Sequence, residues 1–194
     1  MTWTLPNILT LLRIILIPVL VIAFYLPSQW SYQLSAAIFG LAALTDWLDG
    51  YLARRLKQSS VFGAFLDPVA DKLMVAVALV LLVQDNPSVT FTIPAAIIIG
   101  REIAISALRE WMSEIGERTK VAVSIVGKVK TTIQMISILL LLYKVPLGPL
   151  PTHDVGVVLL YVAAILTLWS MIVYLRAAWP ILAGNSGKGS GGNA

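Results

Sequence analysis

Residues Asp46 to Asp71 read DWLDGYLARRLKQSSVFGAFLDPVAD and set four aspartates along the edges of two otherwise apolar segments. Asp46 and Asp49 are three apart, and Asp67 and Asp71 are four apart, so on helices each pair shares one face. Gly50 and Ala53 fall on the face of the first pair, where small side chains leave room for a ligand or a close backbone. Carboxylates at membrane depth repel one another and resist desolvation, so they need a compensating positive charge. Solvated acids, or acids paired with Lys and Arg at helix ends, are the competing reading; ionisable groups inside a membrane favour a functional site. All-oxygen donors select a hard cation such as magnesium, manganese or calcium.

The surroundings of this stretch are strongly apolar. Of 194 residues 58% are hydrophobic and 12% charged, a balance far from that of soluble domains and expected of an integral membrane protein. The absence of cysteine rules out disulfides, zinc–thiolate sites and thiol catalysis. A formal charge of +4 suits a face that meets anionic lipid. No basic block or aromatic–basic repeat points to nucleic acid. The first residues lack a basic start and a small-residue cleavage site, so Ile8 onward reads as a retained span.

Six apolar segments follow, each near the ~20 residues a bilayer requires. They run from about Pro6 to Leu26, Ser31 to Arg55, Phe65 to Gln84, Phe91 to Glu114, Val121 to Tyr143 and Val155 to Leu182. Arg13 interrupts the first and is expected to face the bundle or to snorkel. Pro68, lacking a backbone donor, is expected in the first turn of the third helix or at a kink. The connection after the second segment carries Arg54, Arg55 and Lys57; that after the fourth carries Arg118 and Lys120 beside Arg109, while the opposite side carries only Lys144. The positive-inside rule then puts both termini and the aspartates in the cytosol. The expected fold is all-α, a polytopic six-transmembrane-helix bundle forming one membrane domain over residues 1–182. A Gly/Ser/Asn-rich, disordered tail over 183–194 completes it.

Written as a pattern, the opening stretch is D-x2-D-G-x2-A-R-x8-G-x3-D-x3-D, filled by Asp46, Asp49, Gly50, Ala53, Arg54, Gly63, Asp67 and Asp71. It resembles the signature of the CDP-alcohol phosphotransferase family at every fixed position. Such a set of carboxylates, from two facing helix ends, can hold two divalent ions ~4 Å apart for phosphoryl displacement. One carboxylate can be left to take a proton from an attacking hydroxyl. The resemblance implies magnesium or manganese, two ions, held by Asp46, Asp49, Asp67 and Asp71, with Asp71 as base; spacing alone does not rank the four. It also implies transfer of a CDP-linked phosphatidyl group to an alcohol with release of CMP. Asn7, Asp46, Asp49, Gly50, Ala53, Arg54 and Gly63 are the implied CDP-diacylglycerol contacts, with Arg13 lining the same cavity. Arg54 has a second reading as a positive-inside arginine, and Lys72 as a charge partner of the acids or a snorkelling side chain. A homodimer in the bacterial cytoplasmic membrane completes what the family implies.

A second polar cluster bears on the acceptor. Arg101, Arg109, Lys128 and Lys130 lie in the fourth and fifth segments, with Glu102 and Glu110 able to neutralise two of them. Surplus cations facing a metal site suggest an anionic acceptor, clamped by arginine and lysine. Lys128 and Lys130 cannot both point centrally, being two apart on a helix. The stretches TLPNILTLLR (Thr4–Arg13), REIAISALREWM (Arg101–Met112) and GKVKTTIQM (Gly127–Met135) are similar to bacterial family members that use glycerol 3-phosphate. That similarity implies glycerol 3-phosphate as acceptor and a direct displacement at phosphorus. Inositol phosphate, serine or a phospholipid are the alternative acceptors. A small cation transporter is the reading from another class, although the acids gather at one side and no inverted repeat is visible. His153 reads as a loop residue without a catalytic part.

Overall fold

The structure, a computed structural model, describes the backbone of residues 5–56, 61–114 and 125–185. Side chains at 5, 6, 50–56, 61, 62, 64, 65, 125, 126, 128, 177 and 180–185 lie outside the description. Six helices are described: α1 (Leu5–Phe24), α2 (Ser31–Leu56), α3 (Val61–Asp85), α4 (Val89–Glu114), α5 (Ile125–Tyr143) and α6 (Thr152–Asn185). The all-helical expectation holds. Residues 121–124, expected in the fifth helix, lie outside the described residues, and α6 runs past the expected end at Leu182.

Two boundaries differ for identifiable reasons. Because α3 begins at Val61, Pro68 lies inside the helix and not in its first turn; Pro18 and Pro94 are likewise internal to α1 and α4. Helices in apolar surroundings tolerate an internal proline, because leaving the helix would expose more backbone groups than the one bond it loses. Helix α6 starts at Thr152 and not at Val155, because the loop before it is tightly closed. Leu147 and Leu150 exchange backbone bonds of 3.2 and 3.1 Å around Gly148, whose φ is +61°. The buried Thr152 then donates its hydroxyl to the Val145 carbonyl at 3.0 Å.

The helices pack most extensively as α5 with α6 and α1 with α2, with α3 beside α1 and α4 beside α6. Their shared core includes Leu20, Phe39, Ala78, Leu79, Leu82, Ile98, Ile138, Leu142 and Leu160. Outward faces are equally apolar: Ile15, Ile22, Leu44, Trp47, Val80, Ile103, Ile165 and Trp169 are all exposed. Such a continuous apolar exterior suits lipid and not water. Among the described residues, Asn7–Phe24, Val89–Glu114 and Thr152–Arg176 are long and apolar enough to cross a membrane.

One end of the bundle is clasped by Lys144, which follows α5 in a left-handed conformation at φ 59°. Its ammonium donates to Asp85 Oδ2 at 2.8 Å and to the Tyr32 hydroxyl at 3.4 Å, joining the end of α5 to α3 and α2. His153 lies at this end, in the first turn of α6 and not in a loop; its ring sits 5.9 Å from that of Phe91. The aspartates lie at the other end.

Candidate functional site

Helix α1 brings the aspartates together. Asn7, Thr10 and Arg13 recur every three residues, so they share one face, and all three are buried. Arg13, 1% exposed, spans the first pair of acids: Nη1 lies 3.0 Å from Asp46 Oδ1, and Nη2 donates to Asp49 Oδ2. One helical turn earlier, the Thr10 hydroxyl donates to Asp67 on α3. A single helix face therefore touches acids from both halves of the signature.

Helical phase explains the rest of the arrangement. Asp49 is 5% exposed and Asp46 lies at the rim, while Trp47 between them is 65% exposed on the outward face. The charges of Asp46 and Asp67 both bear on Asp49, and those of Asp46 and Glu102 bear on Asp71. Gly63 is buried. The side chains of Gly50, Ala53 and Arg54 lie outside the described residues. Lys72, beside Asp71, donates to the Ser106 hydroxyl of α4.

The donor set suits a hard cation. Among the described residues the cations beside these carboxylates are Arg13 and Lys72, fewer than the four acids, in a poorly solvated place. Among the described residues no three acids stand together as a ready-made metal cage. Instead Arg13 supplies, for Asp46 and Asp49, part of the positive charge that a bound ion would bring. Among the described residues the buried Arg13 Nε has no hydrogen-bond partner.

The second cluster sits on α4, α5 and α6. Lys130 is buried and donates to Glu102 Oε1 at 2.7 Å; Arg101 Nη1 donates to the same oxygen at 3.0 Å. The inward-pointing lysine of the pair is thus Lys130, and the Lys128 side chain lies outside the described residues. Glu102 and Glu110 are expected to neutralise two of the four cations; two are neutralised, but both by Glu102. Glu102 serves both Arg101 and Lys130, and Glu110 forms no ion pair among the described residues. Arg109 instead donates to the Tyr174 hydroxyl at 2.7 Å, and Arg101 Nη2 donates to Ser170 at 3.1 Å. Since the Glu102 charge also reaches Asp71 and Lys72, it joins the two clusters electrically.

Reasoning from sequence missed Thr10, Ser106, Ser170 and Tyr174. Thr10 was reachable, lying three residues before Arg13 on one face. For Ser170 and Tyr174 the only signal was their four-residue spacing on a long apolar helix, which says nothing of which neighbour they meet.

The comparisons with known proteins bear on the whole chain. The family model for CDP-alcohol phosphatidyltransferase matches residues 3–169. Several proteins named CDP-diacylglycerol–glycerol-3-phosphate 3-phosphatidyltransferase are similar over nearly all of it. That of Yersinia pestis (strain Pestoides F) is 58% identical over 182 residues, 92% of this chain and 97% of its own. The Salmonella choleraesuis (strain SC-B67) protein is 56% identical over 178 residues, 92% of this chain and 96% of its own. That of Pseudomonas fluorescens is also 56% identical over 178 residues, covering 91% of each chain. The signature first seen in the aspartate stretch is therefore matched along nearly the full length, and the chain belongs to the CDP-alcohol phosphatidyltransferase family.

Proposed function

We propose that this chain transfers the phosphatidyl group of CDP-diacylglycerol to glycerol 3-phosphate, giving phosphatidylglycerol phosphate and CMP. One observation carries the reading. Paired aspartates on α2 and α3 and a cluster of cations on α4 and α5 gather at the same end of the bundle, near enough for the Glu102 charge to reach Asp71. Acids suit a cation-neutralised diphosphate, and bases suit a phosphorylated acceptor. The names of the similar proteins point the same way.

In this mechanism the acyl chains of the donor stay in lipid while its diphosphate reaches the aspartates. Asp46, Asp49, Asp67 and Asp71 would hold magnesium or manganese, two ions, whose chemistry there is to neutralise the diphosphate and the departing CMP. Asn7 and Arg13 from α1, with Gly50, Ala53, Arg54 and Gly63, form the nucleotide side of the cavity. Arg101, Arg109, Lys128 and Lys130 hold the acceptor phosphate. Asp71 takes the proton of the acceptor hydroxyl. The freed oxygen attacks the phosphorus that bears the diacylglycerol, and the bond from that phosphorus to CMP breaks. No covalent enzyme intermediate is needed.

The same reading makes the protein a multi-pass homodimer of the bacterial cytoplasmic membrane. Its six helices span the bilayer, and both termini and the site face the cytosol. The apolar exterior and the gathering of both clusters at one end support that placement. The deciding assay supplies purified protein with CDP-diacylglycerol, magnesium and one acceptor at a time. Glycerol 3-phosphate should give CMP and phosphatidylglycerol phosphate, whereas inositol phosphate, serine and phosphatidylglycerol should give little. Faster CMP release with any of those three would sink the acceptor assignment.

A further inference from the structure

Helix α6 contributes an element that the shared signature does not call for. Ser170 and Tyr174 lie past residue 169, where the match to the family model ends. Both nonetheless touch the basic cluster. The Tyr174 ring takes two guanidinium groups, with Arg109 Cζ 5.0 Å and Arg101 Cζ 5.7 Å from its centroid. Its hydroxyl accepts from Arg109 Nη2 at 2.7 Å, which leaves its own O–H to donate. Arg101 is buried and fixed at two points, by Glu102 through Nη1 and by Ser170 through Nη2, while its Nε has no partner.

Two guanidinium groups drawn to one ring repel each other unless negative charge is offered nearby. An aromatic face supplies a little of it through its quadrupole and holds the pair together. Among the described residues the Arg101 Nε has no partner, and a phosphate monoester offers acceptor oxygens and negative charge both to it and to Arg109. A neutral alcohol would bring no negative charge to Arg109, which donates to the uncharged Tyr174 hydroxyl.

We propose that Tyr174, with Ser170 one helical turn earlier, is a positioning and specificity residue: it gathers Arg101 and Arg109 at one ring to receive the phosphate of a phosphorylated alcohol acceptor. The inference rests on the acceptor reading above and adds the residues that shape it. Tyr174 acts through the arginines and touches no reacting atom.

The test is steady-state kinetics of the full chain in mixed micelles, with each substrate varied in turn. Tyr174→Leu should raise the KM for glycerol 3-phosphate by roughly tenfold, in line with two cation–π contacts and a hydrogen bond. The KM for CDP-diacylglycerol should stay within about twofold, because the change in transition-state binding is confined to one substrate. Tyr174→Phe keeps the ring but loses the hydroxyl that accepts from Arg109, and should raise the same KM by a smaller factor, roughly threefold. If Tyr174→Leu does not accumulate, Tyr174→Phe decides alone: a raised acceptor KM with an unchanged lipid KM supports the inference. An unchanged acceptor KM, or both KM values rising together as a scaffolding role requires, overturns it while leaving the function intact. A wild-type enzyme that ignores glycerol 3-phosphate yet phosphatidylates a neutral alcohol overturns the function and this inference together.

Discussion

At Arg13 one guanidinium bridges two carboxylates of the neighbouring helix, and the deeper of the two, Asp49, has little water to turn to. Removing one partner of such a buried pair leaves a charge uncompensated, at a cost of about 3 kcal/mol or more. Arg13→Ala should therefore lower the thermal unfolding midpoint in detergent, and more in chelator than in magnesium, since a bound cation offsets the missing charge. Arg13→Lys should rescue poorly, because an ammonium lacks the fork that reaches both acids. A full rescue by lysine would show that charge alone matters there. Asp71 offers a different test. Asp71→Asn keeps the shape but removes the base, so turnover should fall by about 10²–10⁴-fold while CMP binding persists. A rate near wild type would remove Asp71 from the base role.

Between elements, α6 approaches α5 closely at Gly156. A Cβ there would lie 2.8 Å from Leu141 Cγ and 2.9 Å from its Cδ2, on the helix that packs most extensively against α6. Ser137 also donates to the Gly156 carbonyl at 2.7 Å, so backbone and side chain meet at this point. Small residues permit such approach between apolar helices, where packing drives association. Gly156→Ala should destabilise the bundle by roughly 1–3 kcal/mol through overpacking, read as a lower unfolding midpoint. Gly100→Ala is the control, since its Cβ meets nothing within 4 Å. At the opposite end, burial disfavours charge on Lys144. Its hydrogen bonds to Asp85 and Tyr32 and their charges outweigh that, so its pKa is raised above that of an ordinary lysine. Its contribution to stability is then complete below about pH 10.4, the unfolded lysine value. That contribution is lost as the pH climbs through the higher folded value. Unfolding followed between pH 8 and 12 should show this alkaline decline, and Lys144→Gln should flatten it.

For the molecule as a whole, the decisive property is sidedness. The chain has no cysteine, so a single introduced thiol reports its own location. Leu147 is exposed in the loop between α5 and α6, and Ser113 is exposed near the end of α4. In intact spheroplasts an impermeant maleimide should label Leu147→Cys at once and Ser113→Cys only after permeabilisation. The reverse pattern would invert the proposed topology. Metal removal acts at the same scale. Chelation should abolish CMP release and magnesium or manganese should restore it, because four aspartates repel a diphosphate unless cations offset their charge.

Much of this was legible from residue order. Hydropathy and length gave six helices, because a long apolar run among few charges can satisfy its backbone only as a helix. The three- and four-residue spacings put each aspartate pair on one face, since helical phase is a local property. The choice of partner was not local. That Arg13 spans Asp46 and Asp49, that Glu102 serves both Arg101 and Lys130, and that Tyr174 carries Arg109 depend on how helices rotate and slide against one another. Those offsets are set by packing along the whole length of the bundle. The sequence by itself determined which charges the protein must bury and in which helices; only the tertiary structure decided which of them meet.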